Sequence, residues 1–193
     1  MVAMRWLARI CGALAPLVIA PLVIAPHAVA AAQAGPGKVV AGRVESIYLS
    51  AAPSHKVTAK LDSGARTSSI DARNIEPFTR DGKPWVRFEL MLGEAPGNQR
   101  KKRLVVPLER PVIRYVRIKE HDGSHSRRPI VELEFCFDRR LHHSEFSLVD
   151  RSQFLYPVLF GRRFLAGVAL IDSAATFLTE PDCPSSAKRV SQP

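Results

Sequence analysis

The 193 residues contain neither a Gly-x-x-x-x-Gly-Lys-Ser/Thr loop nor a His-Glu-x-x-His pair. The first absence removes the backbone cradle that nucleotide phosphates use. The second removes the helical arrangement of two metal ligands and a base. His121 and His125 are four apart but flank the turn Asp122-Gly123-Ser124, and the adjacent His142 and His143 would face opposite sides of a strand. These side chains read as solvated loop histidines, so no metal and no other cofactor is expected. No Ser or Cys stands in a convincing nucleophile signature. Apart from a doubled Ala-Pro-Leu-Val-Ile unit near the N-terminus there is no internal repeat of about 20 to 50 residues, which argues against a propeller or solenoid. Acidic residues are also scarce, 18 against 28 Lys and Arg, for a net charge of +10. Such a balance favours anionic partners at long range.

The N-terminus sets the compartment. Arg5 and Arg9 precede an apolar run from Ile10 to Ile24, followed by the small-residue exit Ala28-Val29-Ala30. That is the layout of a secretory signal peptide over residues 1–30, and cleavage after Ala34 is the neighbouring choice. Pro16 and Pro21 interrupt the run, which weakens the alternative of a retained membrane anchor. The expected product is periplasmic or secreted, with no stable membrane span. Export argues against nucleic acid as the anionic partner and leaves an acidic peptide or the envelope surface. Only two of the three cysteines lie beyond the leader, Cys136 and Cys183. An oxidising compartment would allow them to pair.

Residues 31–38, with Gly35-Pro36-Gly37, read as a flexible leader, and 181–193 as a disordered Pro/Ser-rich tail. Between them, residues 39–180 form one domain of a size that can bury a single core. Apolar residues there recur at alternate positions, the period of half-buried strands. Val131, Leu133, Phe135 and Phe137 face one way and Glu132, Glu134 and Cys136 the other. Further strands are expected over 39–49, 57–61, 85–92, 104–108, 115–119, 145–149, 168–172 and 176–178, with one short helix over 162–165. The fold class is all-β. The polar, arginine-rich stretch 93–103 is long enough to move.

One stretch carries chemistry: Ala59-Lys60-Leu61-Asp62-Ser63-Gly64-Ala65-Arg66-Thr67-Ser68-Ser69, an apolar strand running into an acid, a hydroxyl and a glycine. By itself Asp-Ser-Gly is more often a turn. A second segment changes its meaning: Tyr156-Pro157-Val158-Leu159-Phe160-Gly161-Arg162-Arg163, an apolar run, a glycine and an arginine at a helix start. Together the two resemble the signature pair of retropepsin-like aspartic proteases. More closely, the chain resembles the bacterial family labelled ATP-dependent zinc proteases, also called RimK/LysX-type proteins. Val40 to Glu45, Arg128 to Val131 and Ser147 to Ser152 match it as well.

The resemblance implies a retropepsin-like closed β-barrel with one short C-terminal helix, and peptide hydrolysis by two carboxylates sharing a proton. One chain offers one good candidate, Asp62, so a homodimer would supply the second copy. Ser63, Gly64 and Ala65 would shape the active-site loop, and Gly161 and Arg162 would support it from behind. Arg66 and Arg128 would bind a peptide or protein substrate and would suit an acidic one. Asp172 echoes the first motif without its glycine and reads as a turn former. Asp71 stands where relatives carry a histidine. The best-understood relatives act in the cytosol on glutamate tails, a substrate that an exported chain would not meet. The competing readings are a non-catalytic peptide-binding or scaffold module of the same fold in the cell envelope and, more weakly, a metal hydrolase.

Overall fold

A computed structural model of the chain describes residues 37–93, 104–119 and 123–183. The expected signal peptide, most of the leader, residues 94–103 of the arginine-rich stretch, His121 and residues 184–193 of the tail lie outside them. The described chain is all-β apart from one helix: β1 (Val39–Gly42), β2 (Val44–Leu49), β3 (Ala52–Asp62), β4 (Ser68–Arg80), β5 (Lys83–Leu92), β6 (Leu104–Pro111), β7 (Arg114–Lys119), β8 (His125–Phe137), β9 (Arg140–Val149), β10 (Val158–Gly161), α1 (Arg162–Val168) and β11 (Ala169–Asp172).

Six strands close a barrel in the order β10-β3-β2-β8-β9-β4, with β4 returning to pair with β10. Strands β5 and β6 extend β4 outward, β7 pairs with β8, and β1 and β11 form a separate parallel pair. Alternation builds the wall as expected. Val131, Leu133, Phe135 and Phe137 are all buried, as are Val57, Ala59 and Leu61 on β3. At one end of the core Phe135, Phe146, Phe160 and Phe164 meet at ring separations of 4.5–5.8 Å. Close aromatic pairs of this kind add to the burial of their area.

Three departures from the sequence reading have physical causes. The expected strand over 39–49 is two strands, broken at Arg43, whose N–H donates to Ala175 and whose carbonyl accepts from Leu61. The expected strand over 176–178 joins no ladder, because Phe177 sits at φ 55°, a left-handed conformation. Its neighbours dock instead on the buried Glu45, whose carboxylate accepts from the amides of Gly42, Leu178 and Thr179 and from the Thr179 hydroxyl. The third departure is His142. It is not solvated but 3% exposed on β9, stacked on Phe135 and edge-on to Phe164. His143, facing the other way, pairs with Glu134 at 2.9 Å.

Cys136 and Cys183 form a disulfide, with Cα atoms 5.8 Å apart. Ordered chain therefore continues past residue 180 to Cys183. No helix among the described residues is long and apolar enough to cross a membrane.

Candidate active site

Asp62 is the last residue of β3, on the face opposite the core residues Ala59 and Leu61. Its neighbour Gly161 ends β10, and the two are register partners in a parallel pair. Between them the chain from Ser63 to Thr67 makes a tight loop closed by Ala65 N–H donating to the Asp62 carbonyl at 3.2 Å. The amides of Gly64 and Ala65 also donate to Asp62 Oδ1, at 3.0 and 3.3 Å. A Cβ on residue 64 would stand 3.1 Å from that same oxygen, so glycine keeps the cradle open.

The support from behind comes from Gly161 and Arg162 through backbone and side-chain hydrogen bonds. Arg162 N–H donates to the Ala65 carbonyl at 2.8 Å, and the Arg162 guanidinium donates to the Gly64 carbonyl at 3.0 Å. Gly161 N–H donates to Ser68 Oγ at 3.1 Å. A Cβ on Gly161 would come within 2.7 Å of the Thr67 carbonyl carbon, closer than any side chain is tolerated. This is why an apolar run must end in glycine and then arginine at this point. Ser63 is exposed at the loop tip.

Burial pushes the Asp62 carboxyl up, but the Lys60 ammonium 3.1 Å away and the two loop amides outweigh it and leave it below its ordinary value. Beside the loop opens a cleft of about 580 Å³ whose wall carries five arginines: Arg66, Arg114, Arg117, Arg128 and Arg163. Glu145 pairs with Arg114 and, at 3.5 Å, with Arg163. Arg128 donates to Ser126 Oγ at 2.9 Å. Arg66 and Arg128, from separate parts of the sequence, thus line one cleft next to Asp62. Asp172 lies apart at the end of β11, where its carboxylate accepts from Ala174 N–H and caps a turn. Among the described residues no group of His, Cys, Asp or Glu is arranged to hold a metal ion.

A model of the RimB-like family, described as retropepsin-like aspartic endopeptidase RimB, matches residues 40–182. The chain belongs to this family. The RimB-like match takes in both the Asp62 loop and the Gly161–Arg162 support. In solved structures, a Legionella pneumophila protein of unknown function, Lpg0085, superposes with a TM-score of 0.59 and 28% identity, over 74% of this chain and 98% of that one. Curated relatives named "Probable alpha-L-glutamate ligase" share 34% identity over 121 residues in Shewanella halifaxensis and 29% over 135 residues in Parasynechococcus marenigrum. The matches take in 63% and 70% of this chain, but only 25% and 28% of those relatives' length. The ligase name describes those longer proteins.

One part of the RimB-like site was not singled out from sequence. Arg151, in the connection from β9 to β10, is buried, and its guanidinium donates to Ser69 Oγ at 2.9 Å and to the Tyr156 carbonyl at 3.0 Å. Its own N–H donates to Asp71 at 2.8 Å. Arg73 holds Asp71 from the other side at 3.2 Å and also pairs with Asp150. The network fastens the 150–157 connection to β4 next to the cleft residue Ser69. The available signal was Asp71 itself, an acid in place of a histidine, with Arg151 inside a matched segment.

Proposed function

We propose that this RimB-like chain is an exported aspartic endopeptidase, in which the Asp62 residues of two chains form the hydrolytic pair. The observation that carries the reading is the pinned Asp62 loop. Its carboxylate is cradled by two amides and backed by Gly161 and Arg162, which fixes it to the precision a two-carboxylate site needs. In the pair, the ionised carboxylate takes a proton from water and the water oxygen adds to the scissile carbonyl carbon. The protonated carboxyl gives its proton to the carbonyl oxygen. Collapse of the tetrahedral intermediate moves a proton to the departing nitrogen, leaving a carboxylate and an amine. The exposed Ser63 is free to meet its two-fold mate, as a homodimer requires.

The disulfide between Cys136 and Cys183 supports a periplasmic or secreted location, where such bonds persist. The arginine-lined cleft, with Arg66 and Arg128 in its wall, supports an acidic peptide as substrate. Equal cleavage of neutral and acidic peptides would overturn that preference.

The test of the reading is digestion of a diverse peptide library by the purified chain and by Asp62→Asn, with chelator present. Cutting that resists chelator and falls by about 10³-fold in the variant is expected. Full activity of Asp62→Asn contradicts the assignment. Peptide binding by a folded, strictly monomeric chain that never cuts would make it a binding module.

A further inference from the structure

Lys60 has no part in the hydrolytic cycle described above, yet among the described residues it is the cation paired with Asp62. It sits two residues before Asp62 on β3, and strand alternation puts Thr58, Lys60 and Asp62 on one face while Val57, Ala59 and Leu61 enter the core. Its ammonium lies 3.1 Å from Asp62 Oδ2 and makes no other ion pair among the described residues. Across the parallel ladder its register partner is Leu159, a residue of the arginine cleft's wall. Lys60 therefore stands beside the carboxylate and one strand away from a residue of the cleft's wall. With its side chain 48% exposed, the ion pair is a surface pair, weak enough for a competing carboxylate to capture the ammonium.

A two-aspartate site needs one proton on the pair, and a cation held against one carboxylate works against that. The other groups facing Asp62 cannot relieve it. The Gly64 and Ala65 amides are fixed by the loop, and the α1 residue Arg162 is engaged on the Gly64 carbonyl. Arg151, from the β9–β10 connection, is buried in its own network. Of these groups, Lys60 is the one with an exposed side chain whose one ion pair among the described residues is with Asp62.

We propose that Lys60 is a specificity-determining residue: its ammonium rests on Asp62 in the free chain and transfers to a carboxylate of the bound peptide beside the scissile bond, leaving the aspartate pair able to hold its proton. An acidic peptide then does more than fill an arginine-rich cleft. It removes the cation that suppresses the site. The inference rests on the proposed aspartic endopeptidase and adds to it a coupling between substrate charge and the state of Asp62.

The experiment compares two peptides that differ only by glutamate or glutamine next to the scissile bond, cut across pH by the full chain, Lys60→Gln, Lys60→Arg and Asp62→Asn. The full chain should favour the glutamate peptide by about fivefold in kcat/KM, Lys60→Gln should cut both alike, and Lys60→Arg should keep the preference. The alkaline limb of the profile for the glutamine peptide should move to higher pH in Lys60→Gln, because the carboxyl keeps its proton longer without the ammonium. An unchanged ratio and an unchanged limb in Lys60→Gln, with Asp62→Asn dead, overturn the role of Lys60 and leave the endopeptidase standing. If no peptide is cut, NMR titration of the Asp62 carboxyl still decides. Adding the glutamate peptide should raise its titration in the full chain and not in Lys60→Gln, and a titration indifferent to both peptide and substitution overturns the proposal.

Discussion

Around Phe135 the core is built from aromatic rings packed on one another, whereas around Ser69 the wall of the barrel is built from side chains that each hold a named polar partner. Phe135, Phe146, Phe160 and Phe164 are all buried and specify that end by shape and volume. Ser68, Ser69, Asp71, Ser147 and Arg151 are also buried, and specify theirs by pairing. The first arrangement is held by apolar area removed from water and degrades gradually as volume is lost. The second fails abruptly, because removing one partner leaves the other buried without its hydrogen bond. The Asp62 loop is built on the second kind. That is the region where a carboxylate can be held in one geometry, since hydrogen bonds have direction and apolar contacts do not.

The largest effect on stability should come from the ring cluster. Phe160→Ala should destabilise the chain by about 4 kcal/mol in chemical denaturation, since Phe160 packs on Phe135, Phe146 and Phe164 and the cavity cannot collapse. Arg151→Ala should follow closely at about 3 kcal/mol, because it leaves the buried Ser69 and the Tyr156 carbonyl without their partner and Asp71 with Arg73 as its one neighbouring cation among the described residues. Arg151→Lys should recover little of it, since one ammonium cannot reproduce the fork that reaches both Ser69 and Tyr156. If Arg151→Ala costs no more than a surface change, the contrast between the two ends collapses.

How these regions stood in the sequence follows from the same contrast. The ring end was legible, because Val131-Leu133-Phe135-Phe137 announces its own period and the following strands repeat it. The polar end was not. Strand β4 reads Ser-Ser-Ile-Asp-Ala-Arg-Asn-Ile-Glu-Pro, with no alternation, a bulge near the left-handed Asn74 and a proline. Nothing local says that its serines and acid are buried, because their partners come from residues about 80 positions away. The Asp62 loop was found only through its pattern with Gly161 and Arg162. The structure adds the reason for that pattern: backbone atoms of Arg66 and Thr67 fill the space a Cβ on residue 161 would take. Lys60 and Arg151 were present in matched segments, but their partners are set by the fold.

His142 is the exception that sharpens the comparison, a polar ring placed among the apolar ones. Neither of its nitrogens has a hydrogen-bond partner of good geometry. Burial lowers its pKa to about 4, which the Phe137 carbonyl only partly offsets. The unfolded chain, with its histidine near 6.5, therefore takes up the proton first as pH falls. The contribution of the neutral ring is fully present above about pH 6.5 and is lost progressively as pH falls toward about 4. Thermal melts of the full chain and of His142→Leu should converge or cross over that window, with the substituted chain losing less stability on acidification. Parallel curves would mean that the ring is not held neutral. This is the smallest of the effects at neutral pH.

The central claim is that two chains each supply one Asp62, and co-assembly of the full chain with Asp62→Asn in equal amounts tests it most directly. If catalysis needs both carboxylates, random pairing leaves about one quarter of the activity per total chain. Activity that falls only to about one half, in proportion to the intact chains, would show that one Asp62 suffices and would contradict the account.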